Sequence, residues 1–173
     1  MLSVLHDILE QRPDAYARAL AIAEGHIDRS GGAWVGVGTK GSILLLKGGS
    51  YADPAQGRHF VRAGAELLDA ALAMCAREET DDAQALVFVS GCAYAATAQE
   101  PGHFDLARRH LARSDYGRRA LPDWCADWCA ILMSQAALEI GDKAASKAYF
   151  QKVSERDPQE AARLYELWTN RKS

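Results

Sequence analysis

A repeated Trp-Cys pair carries the most reactive side chains of this sequence. The segment Asp-Trp-Cys-Ala-Asp-Trp-Cys occupies residues 123–129. Cys125 and Cys129 are four residues apart, so they share one face of a helix. Two thiolates there could hold a metal or form a redox pair, but a structural zinc needs four ligands, commonly from tighter cysteine pairs. We therefore interpret both cysteines as core residues, expect no metal, and expect Trp124 or Trp128 to lie along a groove.

A glycine pattern at residues 36–41, Gly-Val-Gly-Thr-Lys-Gly, matches the G-x-G-x-x-G of dinucleotide-binding loops. That fingerprint follows a strand, whereas Ser-Gly-Gly at residues 30–32 comes before it here. A phosphate-binding P-loop is also disfavoured, because Lys40 is followed by Gly41 and not by Ser or Thr. We interpret Ala33 to Lys47 as a helix whose glycines let a neighbour approach closely, and we expect no cofactor.

Two histidines, His103 and His110, are seven residues apart with Arg108 and Arg109 between them. This spacing is too long for chelation within one helical turn, so we predict a solvated basic face. The sequence contains no local nucleophile elbow and no metalloprotease motif. A catalytic triad could form only from side chains that the fold brings together from different helices. We expect that the protein is not an enzyme.

Charge and hydropathy restrict the function classes further. The 173 residues carry a net charge of −3, which gives no electrostatic reason to expect nucleic acid. No uninterrupted apolar run approaches the roughly 20 residues that span a bilayer, so we expect no membrane insertion. The first residues lack a basic region and include Asp7 and Glu10, unlike a signal peptide. We therefore predict a cytoplasmic protein.

Apolar residues recur at helical spacing along most of the chain, and no stretch alternates as a half-buried strand does. Glycine and proline separate the helical segments. The predicted helices cover residues 3–11, 13–30, 33–47, 54–75, 83–98, 104–112, a segment opened by Leu121-Pro122-Asp123, 143–156 and 159–170. Short turns between helices favour stacked antiparallel hairpins. The sequence predicts a single all-α domain, residues 1–173, of about eight or nine helices.

The clearest hairpin covers residues 124–158. Gly141-Asp142 forms its turn, Ser146 supplies a small residue at the helix crossing, and Phe150 an aromatic four residues later. Asp157-Pro158 closes it. This half of the hairpin resembles a tetratricopeptide repeat, a helical hairpin with a period of about 34 residues.

The first helix of that hairpin departs from the family. Ala130, Met133, Ser134 and Ala137 stand where the repeat usually has Trp, Leu, Gly and Tyr. A weaker unit at residues 83–114 repeats the spacing of turn, small residue and apolar residue through Gly102, Ala107 and Leu111. Residues 159–170 fit a capping helix with a charged outer face. The chain is thus similar to degenerate tetratricopeptide-like proteins of bacteria.

The resemblance implies a right-handed superhelix whose concave face binds a peptide or protein segment. In that family the first helix of each pair lines this face, which here assigns Trp128, Leu132, Gln135 and Glu139 to partner binding. Trp128 would be a flat apolar anchor, and Gln135 and Glu139 would supply hydrogen bonds. The resemblance predicts a non-catalytic module for protein–protein interaction or assembly.

Two other functions stay open at this point. A small-molecule carrier or enzyme accessory subunit would enclose an apolar pocket between helices. A cysteine-dependent redox or metal protein would contain a reactive pair at Cys125 and Cys129.

Overall fold

The computed structural model describes residues 2–113 and 122–170, and within these residues the chain forms nine helices and no strand. The helices are α1 (Leu2–Leu9), α2 (Ala15–Ser30), α3 (Trp34–Gly49), α4 (Pro54–Met74), α5 (Asp81–Ala95), α6 (His103–Arg113), α7 (Asp123–Glu139), α8 (Lys143–Ser154) and α9 (Pro158–Asn170). The all-α prediction is confirmed for this part of the chain. Ser114 of the weaker unit, Leu121, and residues 1 and 171–173 of the predicted domain lie outside the described residues.

Side-chain caps explain why several helices begin where they do. Asp53, Thr80, Asp142 and Asp157 each accept a hydrogen bond from a backbone N–H of the following first turn. Such caps satisfy donors that have no partner inside the helix. Gly141 ends α7 with a φ of 85°, a conformation that glycine adopts without steric cost. The turn predicted at Gly141-Asp142 is therefore present.

The glycine-rich segment lies inside α3 and packs against α4. A Cβ added at Gly41 would lie 2.8 Å from the carbonyl oxygen of Gly64, and one added at Gly57 would lie 2.2 Å from that of Gly48. These two glycine contacts, Gly41 with Gly64 and Gly48 with Gly57, are seven residues apart on each of the antiparallel helices. The backbones of α3 and α4 therefore stay in contact over about two turns. The glycines therefore serve close helix packing, as predicted, and the dinucleotide-loop interpretation of Gly36 to Gly41 does not apply.

Three antiparallel hairpins, α3–α4, α5–α6 and α7–α8, make up most of the described structure. Their first helices, α3, α5 and α7, contact one another in series, and α9 continues the series. Ser134 and Ser146 meet at the α7–α8 crossing, where the two hydroxyl oxygens are 3.2 Å apart. Small residues at this crossing let α7 and α8 pack closely.

Helix α1 covers one face of this series. Val4, Leu5 and Ile8 line a small cavity together with residues of α3 and α5. The imidazole of His6 lies 4.5 Å from the indole of Trp124 on α7, measured between ring centroids. The beginning of the chain therefore packs across three helices that are distant from it in sequence.

The two ends of the described chain also meet. The guanidinium of Arg163 on α9 donates hydrogen bonds of 2.8 and 3.1 Å to the carboxylate of Glu10, just after α1. In a regular helical-repeat solenoid each unit contacts only its neighbours. This closure departs from that pattern, and the right-handed superhelix stays a prediction.

Among residues 2–113 and 122–170, no helix combines the length and apolarity that a bilayer crossing requires.

Candidate functional site

The structure does not present the predicted partner-binding residues as an exposed surface. Trp128 and Leu132 are each 1% exposed and Gln135 is 8% exposed, whereas Glu139 is exposed. Glu10, just after α1, contacts Trp128 on this face of α7, and His6 of α1 contacts Trp124 one turn away. The burial counts against Trp128 as a partner-facing anchor. Trp124 is half-buried, packs on His6 and does not line the groove described below.

Trp128 instead belongs to a polar contact that joins the two ends of the fold. Its indole N–H donates a hydrogen bond of 3.1 Å to the carboxylate of Glu10. The hydrogen bonds from Arg163 hold the pKa of Glu10 below its usual value, although burial opposes this shift. Glu10 therefore stays ionised and holds α7 and α9 together.

An open groove lies on the opposite face of α7. Its volume is about 960 Å³, with α7 as the floor, α6 as one wall and α8 as the other. The lining residues are Asp105, Arg108, Arg109, Leu111 and Ala112 of α6, Ala126, Asp127, Cys129, Ala130 and Met133 of α7, and Tyr149, Lys152, Val153 and Arg156 on the α8 side. The groove exists because Ala126 and Ala130, one turn apart, leave space that larger side chains would fill.

The groove combines an apolar floor with basic walls. Four basic and two acidic side chains line it, although the whole chain has a net charge of −3. Asp127 forms an ion pair with Arg156, so these two charges offset each other. Arg108, Arg109 and Lys152 are exposed, and the ammonium of Lys152 lies 5.2 Å from the ring centroid of Tyr149. The groove therefore attracts negative charge.

Sequence reasoning missed this groove because its residues come from three helices. The charged positions Arg108 and Arg109 were recognised as a basic face, but Lys152 and Arg156 are more than 40 residues away. The available signal was the pair Ala126 and Ala130, which marks a small-residue face on α7. Only the hairpin geometry brings that face between α6 and α8.

The two histidines do not form the solvated basic face that their spacing suggested. His103 and His110 are half-buried against α5 and the turn that follows it. The Nδ1 atom of His103 lies 2.7 Å from the hydroxyl oxygen of Thr97 in this turn, and that of His110 lies 2.7 Å from the hydroxyl oxygen of Ser90 in α5. Ser90 donates its proton to the carbonyl oxygen of Val87, so His110 must donate through Nδ1. The two histidines are seven residues apart, and so are Ser90 and Thr97. Because the two chain segments run antiparallel, Thr97 faces His103 and Ser90 faces His110. These contacts hold α6 on α5.

Tyr94 packs between the two imidazoles and donates a hydrogen bond of 2.6 Å to Asp69 on α4. Burial lowers the pKa of His103 and of His110, and the cations Arg113 and Arg109 lower that of His110 further. Both imidazoles are therefore neutral near pH 7.

We expect the free energy of unfolding to decrease as pH falls from about 7 to about 5. The pKa of both histidines is lower in the folded than in the unfolded chain, so below about pH 6.5 the unfolded chain binds more protons. Urea unfolding at three pH values measures this slope. The double variant His103→Gln/His110→Gln should flatten it; an unchanged slope would assign the effect to other groups.

Glu10 affects the free energy of unfolding in a different pH range. Its stabilising contribution is lost only as pH falls below about 4.5.

The cysteines are mainly core residues, as predicted. Cys75, Cys92 and Cys125 are buried, whereas Cys129 is partly exposed and lines the groove. Burial raises the pKa of Cys125 to about 12 and that of Cys92 well above its usual value. In the described part of the chain, no three His, Cys, Asp or Glu side chains come together as a metal site would require.

A thiol titration of the native protein should find one rapidly reacting cysteine, Cys129, among the four in the sequence. The others are shielded from the reagent and protonated near pH 7, which slows attack by the sulfur. A chromogenic disulfide reagent counts the thiols, and Cys129→Ser should remove the rapid phase. Rapid reaction of Cys125 in that variant would instead favour the redox hypothesis.

The described residues thus form an all-helical hairpin protein with a basic, apolar-floored groove. No protein-family model, curated protein or solved structure matches this chain.

Proposed function

We propose that this chain is a non-catalytic binding module that takes a segment of a partner protein in the groove between α6 and α8. The groove itself supports this function. It is open along α7, and a small-molecule carrier would need a pocket that encloses most of its ligand. Its volume, about 960 Å³, accommodates several side chains of a bound segment.

The arrangement of the hydroxyl–imidazole pairs argues against catalysis. Ser90 and His110 have the distance of a nucleophile and its base, but Ser90 is 0% exposed and donates its proton to a backbone carbonyl. A substrate could not reach its hydroxyl without displacing α6. These pairs therefore serve helix packing.

We further propose that the three hairpins are degenerate tetratricopeptide-like repeats. The serine contact at the α7–α8 crossing and the positive φ of Gly141 support this relation. The contacts of His6 and Glu10 with Trp124 and Trp128 occupy one face of α7, so we place the partner in the groove on its other face. The four cysteines are present as thiols, and this fits our proposal of a cytoplasmic location.

Affinity purification from the native organism tests the function. Three tagged versions are compared: the wild-type chain, Ala126→Trp, which fills the groove, and Ala63→Trp, which changes an exposed alanine of α4. We expect a protein that co-purifies with the wild type and Ala63→Trp but not with Ala126→Trp. A protein retained by Ala126→Trp would overturn the assignment to the groove. A bound metabolite without any protein would support the carrier alternative.

A further inference from the structure

We infer that the segment bound by this groove is an acidic, amphipathic α-helix of a partner protein; the inference rests on the proposed function. Two features of the groove carry it: the placement of cations on both walls and the apolar floor between them.

Cations occupy both walls of the groove. Arg108 and Arg109 belong to α6, whereas Lys152 belongs to α8 and is followed by Arg156, which is ion-paired with Asp127. A partner segment bound between these walls would therefore have positive charge next to both of its sides. Carboxylate side chains on both flanks would complement it, whereas lysine or arginine there would be repelled.

The floor between the cations is apolar. On the α7 floor Ala126 is exposed and Cys129 is partly exposed, whereas Ala130 and Met133 are nearly buried. Val153 adds a further apolar side chain from the α8 side. The side of the occupant that points toward α7 must therefore be apolar to displace water favourably. The complementary surface is an apolar stripe with acidic residues on either side of it.

A helix presents such a surface more readily than a strand does. Helical residues at i, i+3, i+4 and i+7 form one stripe, and residues next to the stripe point toward both sides. A strand directs its side chains to only two opposite faces, so its backbone edges, and not its carboxylates, would face the walls. Helix-in-groove binding is a common mode of peptide recognition.

A fatty acid or similar anionic amphiphile also combines negative charge with apolar surface. Its charge is concentrated at one end, so it would contact cations on one wall or at one end of the groove. The distribution of cations over both walls favours the helix. The two ligands are separated below.

The test uses the full chain and a fluorescein-labelled synthetic peptide of about 15 residues, or about four helical turns. This peptide has leucine at the stripe positions and glutamate beside them. A second peptide has the same composition with the stripe scrambled, and a third has lysine in place of glutamate. Fluorescence anisotropy measures binding. The first peptide should bind at least about tenfold more tightly than either control, and its affinity should decrease as salt rises.

Charge reversal in the protein provides the matched comparison. Arg108→Glu/Lys152→Glu should weaken binding at least about tenfold because both walls lose attraction. Arg58→Glu/Arg62→Glu makes the same charge change at exposed positions of α4 and should leave the affinity within about twofold. Bound peptide should also slow the reaction of Cys129 with a thiol reagent, since that side chain lines the groove.

The outcomes separate this inference from the proposed function. Tighter binding of the lysine peptide, with protection of Cys129, would overturn the acidic helix and leave segment binding intact. Equal loss in both double variants would overturn the placement in the groove. Protection of Cys129 by decanoate, with no binding of any peptide, would overturn the inference and the proposed function together.

Discussion

Replacing Gly57 with alanine is expected to lower the free energy of unfolding by about 3 kcal/mol. The new Cβ would lie 2.2 Å from the carbonyl oxygen of Gly48 on α3. No rotamer change relieves this overlap, because the obstructing atom is backbone. The two helices must separate, which loses packing along their whole crossing. Since domains of this size are commonly stable by about 5–15 kcal/mol, the loss is a large fraction of the total.

Gly25→Ala is the matched control. It makes the same change inside α2, where the new Cβ would meet only the flexible side chain of Arg29, at 3.2 Å. Alanine has the higher helix propensity, so this variant should gain about 0.5–1 kcal/mol. Urea unfolding followed by circular dichroism measures both changes. A loss below about 1 kcal/mol in Gly57→Ala would show that α3 and α4 are not in backbone contact.

Local patterns in the sequence determine much of what was predicted correctly. The glycine spacing in α3, the turn at Gly141 and the boundary at Asp157-Pro158 each depend on residues that lie within one or two helical turns of one another. The spacing in the sequence was therefore enough to predict them. Helix ends were less accurate: α5 was expected to reach Ala98 but ends at Ala95. Ala96 and Ala98 are buried beyond that end, and their apolar character was mistaken for continued helix.

Long-range contacts account for the predictions that failed. The Leu5, Ile8 and Leu9 side chains of α1 mark an amphipathic helix, but nothing in their spacing indicates which surface they cover. Trp128 is buried where Glu10 and His6 meet its face of α7, and the groove lies on the opposite side of that helix. The histidines were misjudged for the same reason, since their partners are Ser90 of α5 and Thr97 of the turn that follows α5.

Trp128→Ala tests this reassignment most directly. Removing a fully buried indole should lower the free energy of unfolding by about 3–5 kcal/mol, because a large cavity remains and Glu10 loses a hydrogen-bond donor. Leu138→Ala, at a position of the same helix that is 42% exposed, should change stability by no more than about 0.5 kcal/mol. Urea unfolding compares the two variants.

The companion variant Trp128→Phe separates packing from hydrogen bonding. It keeps most of the apolar volume but removes the N–H that bonds to Glu10, so a smaller loss of about 1–2 kcal/mol is expected. If Trp128 were a partner-facing anchor, its change to alanine would leave stability within about 0.5 kcal/mol and weaken only binding. A stability loss that is graded from phenylalanine to alanine, with peptide affinity preserved in Trp128→Phe, would instead assign this indole to the core and binding to the groove behind it.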